Sequence, residues 1–380
     1  MRIGIEAQRI FRKEKHGMDY VVLEEIKHLQ KMNLEDTIFV FVKSDVDKCL
    51  KDSENVHIIE LKRQNYLLWE QYVLPKEAKK YNLDILHCTS DTAPIFCNIP
   101  IVLTLHDIIF LESRDKSNKS LYQNLGWMYR RFVVPKVLKK CKRIITVSNF
   151  EYKNIKSKLA LKDKLIMIYN GYNEWFMPLE DKDNVYKKYT SEKGYFLFLG
   201  NTDPKKNTER TLIAYSKYLK NSSIKRKLLI ADLEPQYLDY LLKKNNIEEI
   251  RDNIESTGYI INSDLVYLYN DAFAFLYTSL RESFGIPIIE AMACGTPVIT
   301  SNTSSMPEIA GKSAILINPE NADDISNSMI TLENDKNKYD LLKKTGLERA
   351  KLFSWKNNVK RLVKVYKETH EENIQNSDKD

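Results

Sequence analysis

A chain of 380 residues, 43% hydrophobic and 29% charged, has the length of two ordinary domains and the composition of a globular protein. No run approaches the roughly 18 uninterrupted apolar residues of a membrane span, and Met1-Arg-Ile-Gly-Ile-Glu-Ala7 reads into a strand rather than an apolar leader. The five cysteines are scattered without a Cys-x-x-Cys pair, which argues against a disulfide framework or a zinc site and for a reducing cytoplasm.

From the N-terminus the pattern is strand (Arg2–Glu6), a loop bearing Gly17, then a helix over Tyr20–Leu29. Further apolar strands are predicted at Thr37–Val42, Val56–Ile59, Ile85–His87, Ile101–Leu105 and Arg143–Val147, with a helical pattern from Leu67 to Lys80. Between Lys116 and Arg143 lie nine basic residues and no acidic one, interleaved with Tyr122, Trp127, Met128, Tyr129 and Phe132. Such a 116–143 segment suits an anionic membrane surface or a phosphorylated acceptor, and a nucleic-acid patch would look similar. A helix with one side in the core and a solvated basic side explains it equally well.

Periodicity breaks around Asn170–Pro178, and 179–192 is charged and loose. A second alternation follows, with strands at Tyr195–Leu199, Lys227–Ile230, Ile254–Tyr259, Phe273–Tyr277, Val298–Thr300 and Ala314–Ile317. Near-continuous apolar strands alternating with helices mean parallel sheets covered on both faces. The expected fold is α/β, two doubly wound Rossmann-like domains, 1–178 and 193–353 with 179–192 as linker. A helix over 354–370 and a frayed tail at 371–380 complete it.

Glu282-Ser-Phe-Gly-Ile-Pro-Ile-Ile-Glu290 carries the chemistry. It lies between the buried strand pattern ending at Thr278 and a helix that opens near Pro287 and closes at Gly295. Glu282 then stands in the loop and Glu290 about one turn into the helix. The N–H groups of Phe284, Gly285 and Ile286 sit at the helix entrance, which attracts anions, phosphate above all. Carboxylates beside a phosphate cradle make sense when the ligand also brings hydroxyls, which they accept strongly. Phosphate flanked by sugars is a nucleotide-sugar.

Ser279-Leu-Arg-Glu-Ser-Phe-Gly-Ile-Pro-Ile-Ile-Glu-Ala-Met-Ala-Cys-Gly-Thr-Pro297 resembles the E-x7-E signature of family 4 glycosyltransferases, which have the two-domain GT-B architecture. Ser304–Gly311, Leu105-His-Asp107, Asn170-Gly171 and Gly200-Asn-Thr-Asp-Pro-Lys-Lys-Asn207 match as well, so the likeness runs from Arg2 to about Tyr366. It implies two domains facing a cleft, a C-terminal helix crossing back to the first, and sugar transfer from a nucleotide-sugar with retention and without metal or other cofactor. It assigns Glu282 to the donor sugar, Glu290 to the ribose, and Phe284, Gly285 and Ile286 to the diphosphate. Lys206, with Lys205, would neutralise the leaving diphosphate; Asn201 stands where many members carry Arg. His106 would meet the donor sugar, with Asp107 beside it. Gly17 would let backbone approach the diphosphate, and Tyr259 would meet the base.

No Asp/Glu pair reads as the nucleophile and acid/base of a double displacement, so front-face substitution is favoured. Asp45-Val-Asp47 lacks a nucleotide-site block around it, and no G-x-G-x-x-G follows the first strand. A phosphorylase or epimerase of the same architecture stays open. So does a non-catalytic nucleotide-sugar or nucleic-acid binding protein built on 116–143. The expected partners are a nucleotide-sugar donor and a glycan or lipid-linked acceptor in cell-surface polysaccharide synthesis, on the inner face of the membrane.

Overall fold

The computed structural model describes residues 1–13, 15–62, 65–112, 121–180 and 182–377. Lys116 and Lys119 of the basic segment lie outside them. The chain forms two compact units: Met1–Gly171 together with the segment from Trp355, and Tyr172–Ser354. The segment 179–192, expected as a linker, therefore belongs to the second unit.

The first unit holds strands β1 (Arg2–Glu6), β2 (Thr37–Lys43), β3 (Val56–Leu61), β4 (Ile85–Cys88), β5 (Ile101–Thr104), β6 (Arg143–Thr146) and β7 (Leu165–Met167). All pair in parallel, in the order β3-β2-β1-β4-β5-β6-β7. Helices α1 (Gly17–Gln30), α2 (Tyr66–Leu68), α3 (Leu74–Lys80), α4 (Leu121–Lys140) and α5 (Asn149–Lys158) connect them. The predicted helix over 67–80 is interrupted by a wide π turn at Trp69–Val73, which seats the Trp69 ring in the core.

The second unit repeats the plan with β8 (Phe196–Leu199), β9 (Leu228–Ala231), β10 (Ile254–Ser256), β11 (Ala274–Tyr277), β12 (Val298–Ser301) and β13 (Ala314–Ile317). Their order is β10-β9-β8-β11-β12-β13, again all parallel. Its helices are α6 (Thr208–Asn221), α7 (Pro235–Lys244), α8 (Asn262–Asp271), α9 (Ile286–Ala293), α10 (Met306–Ala310), α11 (Ala322–Asn334) and α12 (Lys336–Ala350). Burial on both faces explains why the strands read as continuous apolar runs.

Helix α13 (Trp355–Ser377) packs on α1 in the first unit. Val359, Leu362, Val363, Val365 and Tyr366 share a core with Ile3, Ile5, Val22 and Ile26. The expected tail is thus helical through Ser377, because this apolar seam anchors the helix that precedes it. Residues 378–380 lie outside the described set.

Candidate active site

In the second sheet the strand order reverses between β8 and β11. At such a switch point the loops leaving the two strands diverge and open a crevice for ligand. After β8, Gly200 is packed so closely that a Cβ there would stand 2.7 Å from the Phe198 ring and 3.0 Å from Ile230. Asn201 folds the loop: its Oδ1 accepts from the Asp203 N–H at 2.9 Å and its carbonyl from the Thr208 hydroxyl at 2.8 Å. Asp203 caps the turn Pro204–Lys206. Asn207 takes a left-handed conformation (φ 60°) and its amide donates to the carbonyls of Thr278 (3.1 Å) and Pro319 (2.7 Å). The Leu280 N–H donates to the Lys205 carbonyl at 2.7 Å. These bonds tie the β8 loop to the β11 loop.

The tie brings together two predicted residues. Lys206 Nζ lies 2.8 Å from Glu282 Oε1 and 5.2 Å from the centre of the Tyr277 ring. Burial alone would raise the Glu282 pKa, but Lys206 and then Lys205 outweigh it and hold the carboxyl below its ordinary range. The loop that carries Glu282 is fixed by hydroxyls from the β12 side. Ser301 donates to the Ser279 carbonyl (2.7 Å), Thr303 to Leu280 (3.0 Å), and Ser305 to both Glu282 and Phe284 (2.8 Å each). The Glu282 N–H donates to Ser304 Oγ at 3.0 Å.

Gly285 caps α9 at φ 105°, a conformation open to glycine, and a Cβ there would also press on Ile288 at 3.1 Å. Among the described residues, the Gly285 and Ile286 N–H groups donate to no protein acceptor. Phe284 is buried edge-on against Phe353 (centroids 5.8 Å apart), so only its backbone faces the site. Glu290, one turn along α9, is half-buried. Burial pushes its carboxyl up to about 8, and the Tyr269 hydroxyl 3.5 Å away only partly opposes this. The two acids of the signature are therefore driven in opposite directions. Lys205 is exposed, its nearest carboxylate Asp203 at 3.9 Å. Tyr259 is exposed in the loop after β10, two strands from β8.

His106 and Gly17 belong to the first unit. His106 follows β5 and is buried; its N–H donates to Asp91 Oδ1 (2.7 Å) and its ring Nε2 to the Thr89 carbonyl (3.1 Å). A carbonyl only accepts, so Nε2 carries a proton. Asp107 Oδ1 accepts from the Ile109 N–H at 3.0 Å and shapes the following turn. Gly17 is the first residue of α1 rather than part of a loop. It is exposed, its φ is ordinary, and a Cβ there meets open space. Nothing in the fold itself requires glycine at 17.

Sequence reasoning missed Asn207, the hydroxyls of 301–305, and Asp91. Asn207 could have been found from Asn-Thr at a helix start, since Asn tolerates the left-handed region. Asp91, also left-handed (φ 66°), carried no such signal.

Two family profiles match the chain: "Glycosyltransferase Family 4" over residues 16–175 and "Glycosyl transferases group 1" over residues 181–349. The O-antigen chain mannosyltransferase B of Escherichia coli is 29% identical over 273 residues, 70% of each chain. Among solved structures, sucrose-phosphate synthase of Thermosynechococcus elongatus superposes with a TM-score of 0.76 at 18% identity, covering 97% of this chain and 98% of that one. Anabaena HepE in complex with UDP and glucose gives 0.74 at 15% identity, covering 96% and 99%. With its two Rossmann-like parallel sheets and its E-x7-E segment at the β8/β11 switch point, the chain belongs to glycosyltransferase family 4, of GT-B fold.

Proposed function

We propose that the enzyme moves a hexose, mannose first among the candidates, from a nucleoside diphosphate sugar to a saccharide or lipid-linked saccharide in cell-surface polysaccharide synthesis. Transfer proceeds with retention and needs no metal. The observation that carries this reading is the Lys206–Glu282 pair beside the Gly285–Ile286 N–H groups at the β8/β11 switch point. The mannosyl assignment is supported by the E. coli O-antigen relative, and the nucleotide-sugar by the UDP and glucose in the HepE complex.

The donor exchanges partners with the pair. Its diphosphate takes Lys206 and the α9 N–H groups, with Lys205 at the rim, while hydroxyls of its sugar take the Glu282 carboxylate. Glu290 accepts from the ribose hydroxyls, and the Tyr259 backbone meets the base. As the glycosidic C–O bond breaks, negative charge grows on the leaving phosphate, and Lys206 and the helix entrance stabilise it. A phosphate oxygen accepts the acceptor hydroxyl's proton while that hydroxyl attacks from the same face.

The test is a panel of UDP-, GDP- and dTDP-sugars assayed by thermal shift, since a ligand of the folded state raises the melting temperature. Transfer by the stabilising donor is then followed by NMR of the product's anomeric centre, with and without EDTA. Stabilisation by at least one donor, retention, and indifference to EDTA are expected. A chain that no sugar nucleotide stabilises would sink the proposal.

A further inference from the structure

Tyr277, the last residue of β11, is fixed from several sides. It shares a face of the sheet with Phe275, two positions back, and the two rings stack at 5.7 Å. Phe275 meets Tyr269 edge-on at 5.2 Å. The Tyr277 carbonyl accepts from the Thr300 hydroxyl at 2.9 Å, and the side chain is buried. Lys206 Nζ stands 5.2 Å from the ring centre, and a Cβ on Gly285 would lie 3.6 Å from Tyr277 Cε1. The phenol is set between the two acids of the signature. Burial, then the charge of Glu282 and a hydrogen bond to it, then the charge of Glu290 push its pKa well above the ordinary range, so the hydroxyl keeps its proton to donate. Ser279, two positions on and also buried, hydrogen-bonds Glu282 as well.

Lys206 has two duties that conflict. Glu282, with only 14% of its side chain exposed, holds its charge because Lys206 is 2.8 Å away. Lys205 of the β8 loop adds to this, while Ser304 and Ser305 bond the Glu282 backbone and bring no charge. A donor draws Lys206 to a diphosphate that carries negative charge of its own. Left in buried surroundings, the carboxylate would then take up a proton and accept sugar hydroxyls more weakly. The hydroxyls of Tyr277 and Ser279 belong to β11 and its first loop residues, so they stay when the lysine turns away.

We propose that Tyr277 and Ser279 are positioning residues for transfer: their hydroxyls hold the Glu282 carboxylate for the donor sugar once Lys206 has turned to the diphosphate. The inference rests on the proposed donor site and adds to it two residues that precede the Glu282–Glu290 segment.

The pH profile of kcat in the full chain tests it, with the donor that the thermal-shift panel selects. In Tyr277→Phe, which keeps the ring and loses the hydroxyl, the acid limb should move up by about one pH unit. Activity then falls about tenfold on the acid side and returns to within about twofold of wild type on the alkaline side, with the donor KM nearly unchanged. Ser279→Ala should move the limb the same way. In a Glu282→Gln background, Tyr277→Phe should cost nothing more. A limb that stays in place in both single variants, or a loss equal at every pH, overturns the inference. A second measurement needs no donor. With ¹³C-labelled glutamate, the Glu282 carboxyl, identified by its absence in Glu282→Gln, is titrated by NMR in Lys206→Ala, which removes the lysine as the donor would. It should titrate about one pH unit lower there than in Lys206→Ala/Tyr277→Phe. Equal midpoints overturn the inference even where the donor reading stands, and a chain that no sugar nucleotide stabilises leaves this titration to decide it.

Discussion

Lys206 and Glu282 neutralise each other at 2.8 Å, so a donor that takes both replaces one ion pair with two charge-assisted contacts. Lys206→Ala is expected to lower the transfer rate about 100- to 1000-fold, the usual loss when one stabilising group is removed from developing charge. Glu282→Gln should do the same through the sugar hydroxyls. Either variant at wild-type rate in a steady-state assay would remove that residue from the chemistry. Glu290 makes a pH-dependent prediction. Its carboxyl, pushed up to about 8 by burial, is largely protonated in the free protein near neutral pH. Ribose hydroxyls favour the ionised form, so binding releases a proton. Nucleotide affinity should therefore rise with pH up to about 8 and level off above it, by at most tenfold per pH unit. Glu290→Gln should flatten the profile in titration calorimetry, and a flat wild-type profile would refute the ribose assignment. Glu282 and Glu290 were legible because eight positions spanning a loop and one helical turn fix their neighbourhood. Their unequal environments were not legible: Lys206 is 76 residues from Glu282 in sequence, and Tyr269 lies on another helix.

At the scale of elements, α1 and α13 meet over a buried acid. Burial pushes the Glu25 carboxyl up to about 8, only partly offset by a hydrogen bond from Asn358 of α13. A carboxyl whose folded pKa exceeds its unfolded value of about 4.3 costs stability as pH rises between the two. Glu25→Gln should remove that loss, gaining on the order of 4 kcal/mol at pH 8 and little at pH 4, by chemical denaturation at both pH values. His87 limits the acid side. Its ring bonds Tyr366 of α13 (2.7 Å) and Thr104 of β5 (2.8 Å), and burial, then His106, push its pKa down to about 3. The unfolded chain binds that proton near 6.5, so this contribution is present above about pH 6.5 and is lost as pH falls toward 3. Most strands could be read from sequence because burial on both faces leaves an unbroken apolar run. The short β7 was missed, since three residues make no period. The extent of α13 was missed because its last turns are polar.

At the scale of the whole chain, residues 172–354 form one unbroken stretch with its own sheet and core, while the first unit is assembled from both ends of the sequence. The expected boundary near 180 followed the loss of periodicity, whereas the actual one follows packing: Phe176 is buried edge-on against Tyr269 of the second unit. A fragment comprising 172–354 should fold and melt cooperatively on its own, checked by calorimetry. Removing 355–380 should unfold the first unit, because Val359, Leu362, Val363 and Tyr366 leave its core. A truncated chain that kept a two-transition melt would contradict this.

Tyr172 and Ser354, the first and last residues of the second unit, pair with each other in a parallel bridge. The chain therefore enters and leaves that unit through neighbouring threads, spaced about as closely as two strands of a sheet. Gly171 and Trp355 flank those threads, so a linker of a few residues should rejoin them and yield the first unit as a separate, continuous protein. The same adjacency makes 172–354 a cassette: a sugar-nucleotide module from another enzyme could be spliced in at two points without lengthening the path of its host.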